Sequence, residues 1–182
     1  MAFDNDGTRI RSMRVEYINP FIVSLQNAFQ TMLGCTVHRG AIRLKDDGSP
    51  RYPLSGVIGL SGKAIGTVVL SLSESVALKA TSRMLMSEAT RIDADVVDAV
   101  GELTNVVAGA AKSQLEQFEL MVSLPNVVTG YGHDIRFPSN VTPICVPFET
   151  EWGPLALEVG FTPHEEWEMS SAGQACSLGA AN

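Results

Sequence analysis

The stretch Asp98-Ala-Val-Gly-Glu-Leu-Thr-Asn-Val-Val-Ala-Gly109 decides the fold, because it sets a carboxylate and an amide inside an otherwise apolar helical period. Four residues share one side of such a helix, within about 60° of one another at 3.6 residues per turn: Asp98, Glu102, Asn105 and Gly109. The opposite side carries an apolar stripe, namely Val96, Val100, Leu103, Val107 and Ala110. The pattern predicts an amphipathic helix whose carboxylate and amide face outward.

Small residues flank the acid and the amide. They are Gly101, Ala108 and Gly109. A glycine inside a helix costs about 1 kcal/mol relative to alanine, so two glycines beside the polar pair need a reason. One reason is close approach by a partner surface. The other is close packing between two helices of the same domain, and the spacing leaves both open.

The residues that precede this helix predict one long helix and a hairpin. Apolar residues recur at helical spacing over 15–33, where Pro20 is tolerated in the first turn and Gly34 ends the helix. Two runs rich in β-branched residues, 54–60 and 65–72, are joined by a short polar turn and predict a β-hairpin. A second helix then begins near Ser73 or Ser75.

Asp93 is the predicted cap of the central helix, which we expect to run to about residue 118. Extended segments follow, broken by proline and glycine: 120–124, 126–130, 140–149 and 154–162. The order of one helix, strands, two helices and strands predicts an α+β fold, in which a mostly antiparallel sheet packs in layers against long helices. We predict three parts: a flexible arm over 1–12, one domain over 13–163, and a loosely held tail over 164–182.

Composition limits the classes of partner. The chain has 182 residues, enough for one domain with a sizeable core, and its net charge of −7 argues against a nucleic-acid-binding surface. No apolar run approaches the roughly 20 residues of a membrane span, and the N-terminus lacks the layout of a secretion signal. Three scattered cysteines and three scattered histidines suggest neither disulfides nor a metal site. We therefore expect a cytoplasmic protein that binds another protein.

The spacing Asp98-x3-Glu102-x2-Asn105-x3-Gly109 resembles the signature of the CheC/CheX/FliY family of chemotaxis phosphatases, and the resemblance extends over about 15–163. CheC-type members carry two copies of the Glu-x2-Asn signature and CheX-type members carry one. Glu16 and Asn19 have the same spacing, but Pro20 follows them directly and does not extend a helix there. The chain therefore resembles the CheX type, and the resemblance implies a layered CheC/CheX-like fold.

The resemblance also implies an activity and roles for site residues. Family members remove the phosphoryl group from the aspartate of a CheY-type receiver domain. On that basis Asn105 would hold the attacking water through its side-chain carbonyl, and Glu102 would pair with a lysine of the receiver and orient the complex. Asp98 would lie at the rim of the contact. Three small residues would leave room for the receiver backbone: Gly101, Ala108 and Gly109.

The remaining implications concern cofactors, assembly and alternatives. This chain would bind no metal or other cofactor, because the magnesium ion belongs to the phosphorylated receiver. CheX-like proteins form homodimers by joining sheet edges, so a homodimer is expected. Two alternatives stay open: a non-catalytic interaction module, as in the related domain of a flagellar switch protein, and an adaptor that sequesters the receiver without dephosphorylating it.

Overall fold

The computed structural model describes residues 15–46, 52–138 and 141–163, which form one eight-stranded sheet with three α-helices packed on one face. Within these residues, every pair of neighbouring strands is antiparallel. The predicted α+β fold is confirmed. The arm predicted for 1–12 and the tail predicted for 164–182 lie outside the described residues.

Helix α1 spans Val15–Ala28 and continues as a π-helical turn over Phe29–Leu33. It buries the side chains of Ile18, Phe21, Ile22, Leu25, Phe29 and Leu33. The helix ends at Gly34, which has a φ of +65°, a left-handed conformation that costs glycine little. The predicted helix over 15–33, with its end at Gly34, is confirmed.

Two short strands, β1 (His38–Arg39) and β2 (Arg43–Leu44), precede the hairpin of β3 (Leu54–Ser61) and β4 (Ala64–Leu72). Helix α2 then spans Glu74–Leu85. The hairpin lies where its β-branched runs predict it. Ser73 is the N-cap of α2, although its side chain makes no capping hydrogen bond.

Helix α3 spans Ala94–Lys112 and so ends earlier than the predicted limit near residue 118. A short 3-10 turn, Glu116–Phe118, follows it. Leu115 and Phe118 are buried at this turn, and the ring of Phe118 meets the rings of Tyr17 and Phe161 edge-on. The chain therefore changes direction after Lys112, because Leu115 and Phe118 pack against α1 and the sheet instead of extending α3.

Four strands complete the sheet: β5 (Met121–Val122), β6 (Asn126–Thr129), β7 (Ile144–Thr150) and β8 (Gly153–Pro163). The order across the sheet is β1, β7, β8, β4, β3, β5, with β2 also paired to β7 and β6 also paired to β3. Strands β5 and β7 are shorter than the segments predicted over 120–124 and 140–149. Strands β5 and β6 thus share one edge of β3, with a turn between them.

The helices cover one face of the sheet, and the other face is partly covered. The face toward the helices carries the apolar core, including Leu70, Leu103 and Leu157. On the other face Glu158 is buried and accepts a hydrogen bond from Lys45 at 2.7 Å. Lys45 also donates to the carbonyl oxygen of Ile135 at 2.5 Å, and the Phe137 ring lies 5.2 Å from its nitrogen. The segment that precedes β7 therefore covers the part of the outer face around Glu158.

Cys35 and Cys145 are buried free thiols, and burial raises the pKa of the Cys35 thiol. Cys176 lies outside the described residues. In the part of the chain that the structure describes, no His, Cys, Asp or Glu residues cluster in a way that could hold a metal ion. None of the helices in that part has the length and hydropathy of a membrane span.

Candidate functional site

Helix α3 is the scaffold of the candidate site. It begins at the predicted cap, where an oxygen of the Asp93 side chain accepts a hydrogen bond from the backbone N–H of Val96 at 3.3 Å. Such a cap satisfies one of the free N–H groups at a helix start. The helix packs against α1, α2 and strand β3, so its position is fixed from three sides.

The close approach of α3 to β3 depends on Gly56. A Cβ atom at Gly56 would lie 1.9 Å from Oγ1 and 2.8 Å from Cβ of Thr104, far inside van der Waals contact. Thr104 is fully buried, and its hydroxyl donates to the carbonyl oxygen of Val100 at 2.7 Å. Thr104 directly precedes Asn105, so the missing side chain at Gly56 sets how deeply the site helix sits on the sheet.

The small residues of α3 correct part of the sequence interpretation. Ala108 is fully buried, and Gly101 is buried beside the β5–β6 turn, where its Cβ would lie 3.5 Å from Val127 and 3.6 Å from Pro125. Because both residues are buried, the structure argues against the partner contact predicted for these two. They allow close packing within the domain, the alternative that the spacing left open. Gly109 is different, since a Cβ there would meet nothing within 4 Å.

The predicted core stripe is confirmed for four of its five members, because Val96, Val100, Leu103 and Val107 are buried. Ala110 is exposed instead. At 100° per residue, Ala110 lies at the margin of the stripe. The buried arc of α3 is wider than the stripe and extends to the side that carries Gly101, Thr104 and Ala108.

The polar side of α3 faces outward. Asp98 and Glu102 are exposed and Asn105 is half-buried. Within the described residues, neither the Glu102 carboxylate nor the Asn105 amide takes part in a hydrogen bond or an ion pair. Fully buried polar groups in proteins are normally paired, whereas these two are accessible and retain free hydrogen-bonding capacity within the described residues.

The turn between β5 and β6 borders the Asn105 side of this surface. Gly101 contacts Pro125, and helical geometry places Gly101 about 40° from Asn105 but about 100° from Glu102 around the axis. Leu124, beside Pro125, is 86% exposed. The sequence patterns did not predict that this turn lies beside α3, because its position depends on pairing with β3, about 60 to 75 residues upstream.

The charge on this surface is negative. Asp95, Asp98 and Glu102 are all exposed and lie within about 60° of one another around α3. Exposed carboxylates on one side of a helix favour a partner that presents lysine or arginine.

Comparisons with known proteins show the family of the chain. Residues 54–149 match the family model described as chemotaxis phosphatase CheX. A curated relative, the CheY-P phosphatase CheX of Thermotoga maritima, is 30% identical over 130 residues, which cover 70% of this chain and 83% of the relative. The matched region contains the β3–β4 hairpin, α3 and the turn beside it.

Solved structures show the same fold. The chemotaxis protein CheX of Vibrio vulnificus is 35% identical, with a TM-score of 0.76 over 81% of this chain and 99% of that one. A CheC-like superfamily protein from Shewanella sp. PV-4 is also 35% identical, with a TM-score of 0.77 over 82% and 99% of the two chains. By sequence and by structure, the chain belongs to the chemotaxis phosphatase CheX family.

Proposed function

We propose that the protein hydrolyses the aspartyl phosphate of a CheY-type receiver domain, with the polar side of α3 as its active surface. The observation that carries the proposal is the outward-facing, half-buried amide of Asn105 beside the exposed carboxylate of Glu102 on one helix, neither of which has a partner within the described residues. Membership of the CheX family and a relative that acts as a CheY-P phosphatase support it.

Asn105 is the proposed catalytic residue. In the hydrolysis, a water oxygen forms a bond to phosphorus while the bond from phosphorus to the receiver's aspartate oxygen breaks. The products are the free carboxylate and inorganic phosphate, which retains the protons of the water. Such a reaction needs a positioned water more than it needs covalent help. The side-chain carbonyl of Asn105 can accept a hydrogen bond from that water and hold it in line.

Glu102 is proposed to orient the complex. It lies one turn before Asn105 on the same side of α3 and is fully available at the surface. A carboxylate in that place pairs with a lysine near the receiver's phosphorylation site. Asp98, one turn earlier, adds to the negative field at the rim of the contact, and Gly109 leaves space at the other end.

The proposed reaction requires no cofactor on this chain. The magnesium ion belongs to the receiver, where it neutralises charge on the phosphoryl group. The part that falls to this protein is to dock, to place Asn105 and to hold the water.

The test compares decay of the phosphorylated receiver, by phosphate release in magnesium buffer, with and without the full-length protein. We expect wild-type protein to accelerate the decay and Asn105→Ala to lower kcat about 100-fold. Asn105→Ala should unfold at the wild-type urea concentration, because the amide has no partner within the described residues. A matched control is Asn27→Ala, which changes an exposed asparagine on α1 and should keep full activity.

Two outcomes would contradict the proposal. Receiver decay at the same rate with Asn105→Ala as with wild type would exclude the catalytic role of Asn105. Binding of the phosphorylated receiver by the wild-type protein without any change in its lifetime would favour the sequestering adaptor instead.

A homodimer and a cytoplasmic location remain predictions. Within the described residues, short strands form both edges of the sheet: β1 and β2 beside β7, and β5 and β6 beside β3. Light scattering of the purified protein over a concentration series measures the oligomeric state directly.

A further inference from the structure

We infer that Leu124, on the turn between β5 and β6, is a second contact for the receiver and sets the affinity of docking without taking part in the chemistry. This inference rests on the proposed function and extends the active surface beyond α3. Leu124 is a large apolar side chain that is 86% exposed. Single exposed leucines are common on protein surfaces. The inference therefore depends on where Leu124 lies and on how rigidly its backbone is held.

The position of Leu124 follows from its neighbour. Pro125 packs on Gly101, with its Cγ 3.6 Å from the place of a Cβ there. Gly101 lies about 6 Å along the helix axis from Asn105 and on the Asn105 side of the exposed surface. Leu124 therefore flanks α3 on the side of the axis toward Asn105, at about the axial level of Glu102.

The size of a protein interface brings Leu124 inside the contact. A stable interface covers about 800 Å² on each partner, which is a disc of about 16 Å radius. A receiver centred on Glu102 and Asn105 would have to cover the adjoining turn, unless its surface were recessed there. A receiver that contacts this protein on both sides of Asn105 would also be prevented from rotating about the axis of α3.

The turn is held rigidly by Ser123. The backbone N–H of Ser123 donates to the carbonyl oxygen of Gly59 at 2.9 Å, and its hydroxyl accepts from the N–H of Gly59 at 3.0 Å. The same hydroxyl donates to the carbonyl oxygen of Leu124 at 2.9 Å. A contact residue on a fixed backbone loses little conformational freedom on binding, and such preorganisation favours affinity.

The experiment measures steady-state kinetics of receiver dephosphorylation by full-length protein. We expect Leu124→Ala to raise the KM for the phosphorylated receiver about tenfold with kcat unchanged. Leu124→Met should restore most of the affinity, because it returns a large apolar side chain. The matched control is Leu44→Ala, which removes a leucine that is 56% exposed at the opposite edge of the sheet and should leave KM unchanged.

The outcomes separate this inference from the proposed function. If wild-type protein accelerates decay but Leu124→Ala has the wild-type KM, the contact is wrong and the proposed function stands. If Leu124 instead contacts a second copy of the chain, Leu124→Ala shifts the self-association midpoint in light scattering with no change in KM, which also overturns the inference. If wild-type protein does not accelerate decay, the proposed function fails first.

Discussion

The two sides of α3 differ in composition and in role, since one packs within the domain and the other presents polar groups at the surface. The side toward the sheet carries the small or buried residues Gly101, Thr104 and Ala108, packed so closely that Gly56 must lack a side chain. The outward side carries Glu102 and other polar groups that have no partner within the described residues.

This difference shows how one helix separates placement from chemistry. The packed side leaves no freedom in where the helix lies, and the open side leaves its polar groups free to bind. A site that must hold a water on another protein's phosphoryl group needs both properties, since a misplacement of about 1 Å costs about 100-fold in rate. Changes on the packed side should therefore alter stability, and changes on the open side should alter activity.

The largest expected effect on stability comes from the apolar core of α3. Leu103→Ala removes a fully buried side chain and should lower the free energy of unfolding by about 2–5 kcal/mol. Urea denaturation measures this loss. Glu102→Ala on the open side is the comparison and should change stability by less than about 0.5 kcal/mol. Equal losses in the two variants would contradict the division between the sides.

A second change tests the close contact between α3 and β3. Gly56→Ala would place a methyl group on Thr104, so α3 must move, and we expect a loss of about 1–3 kcal/mol together with a lower kcat/KM. Gly59→Ala in the same strand is the matched control, because its new Cβ would lie 3.6 Å from the Ser123 hydroxyl, an ordinary contact. A Gly56→Ala protein with wild-type stability and activity would show that the helix position is adjustable.

The open side is tested by charge. Glu102→Gln keeps the shape but removes the negative charge, and should raise the KM for the receiver about fivefold at low salt, a change of about 1 kcal/mol. The difference should shrink at high salt, where exposed charges are screened. Steady-state kinetics at two ionic strengths measures it. A salt-independent change in KM would argue against an ion pair.

The smallest effect separates the two glycines of α3. Both Gly101→Ala and Gly109→Ala should stabilise the helix by about 0.5–1 kcal/mol, since neither new Cβ would come closer than 3.5 Å to another group. Only Gly109→Ala adds volume to the open side, so only it should raise the KM for the receiver. Thermal unfolding and kinetics on the same samples check both expectations.

Much of this arrangement could be predicted from the sequence because it is local. The cap at Asp93, the period of the core stripe and the β3–β4 hairpin depend on residues a few positions apart. The same period predicted that Glu102 and Asn105 lie on the outward side of α3, and they lie on that side in the structure.

The rest depended on contacts between distant parts of the chain. Periodicity shows which side of a helix is apolar but not which neighbour comes close, so it left open whether Gly101 and Ala108 make room for a partner surface or for a contact within the domain. The end of α3 at Lys112 depends on where Phe118 finds its aromatic neighbours. The turn that carries Leu124 lies beside α3 because β5 and β6 both pair with β3.

The turn at residues 123–125 has one more consequence, which concerns the behaviour of the protein at high concentration. A long continuous strand paired with β3 at this border of the sheet would be a template on which further strands could add. Pro125 has no amide hydrogen to offer an incoming strand. The break therefore divides the border into a two-residue and a four-residue piece, and so protects the folded protein against aggregation into extended β-structure.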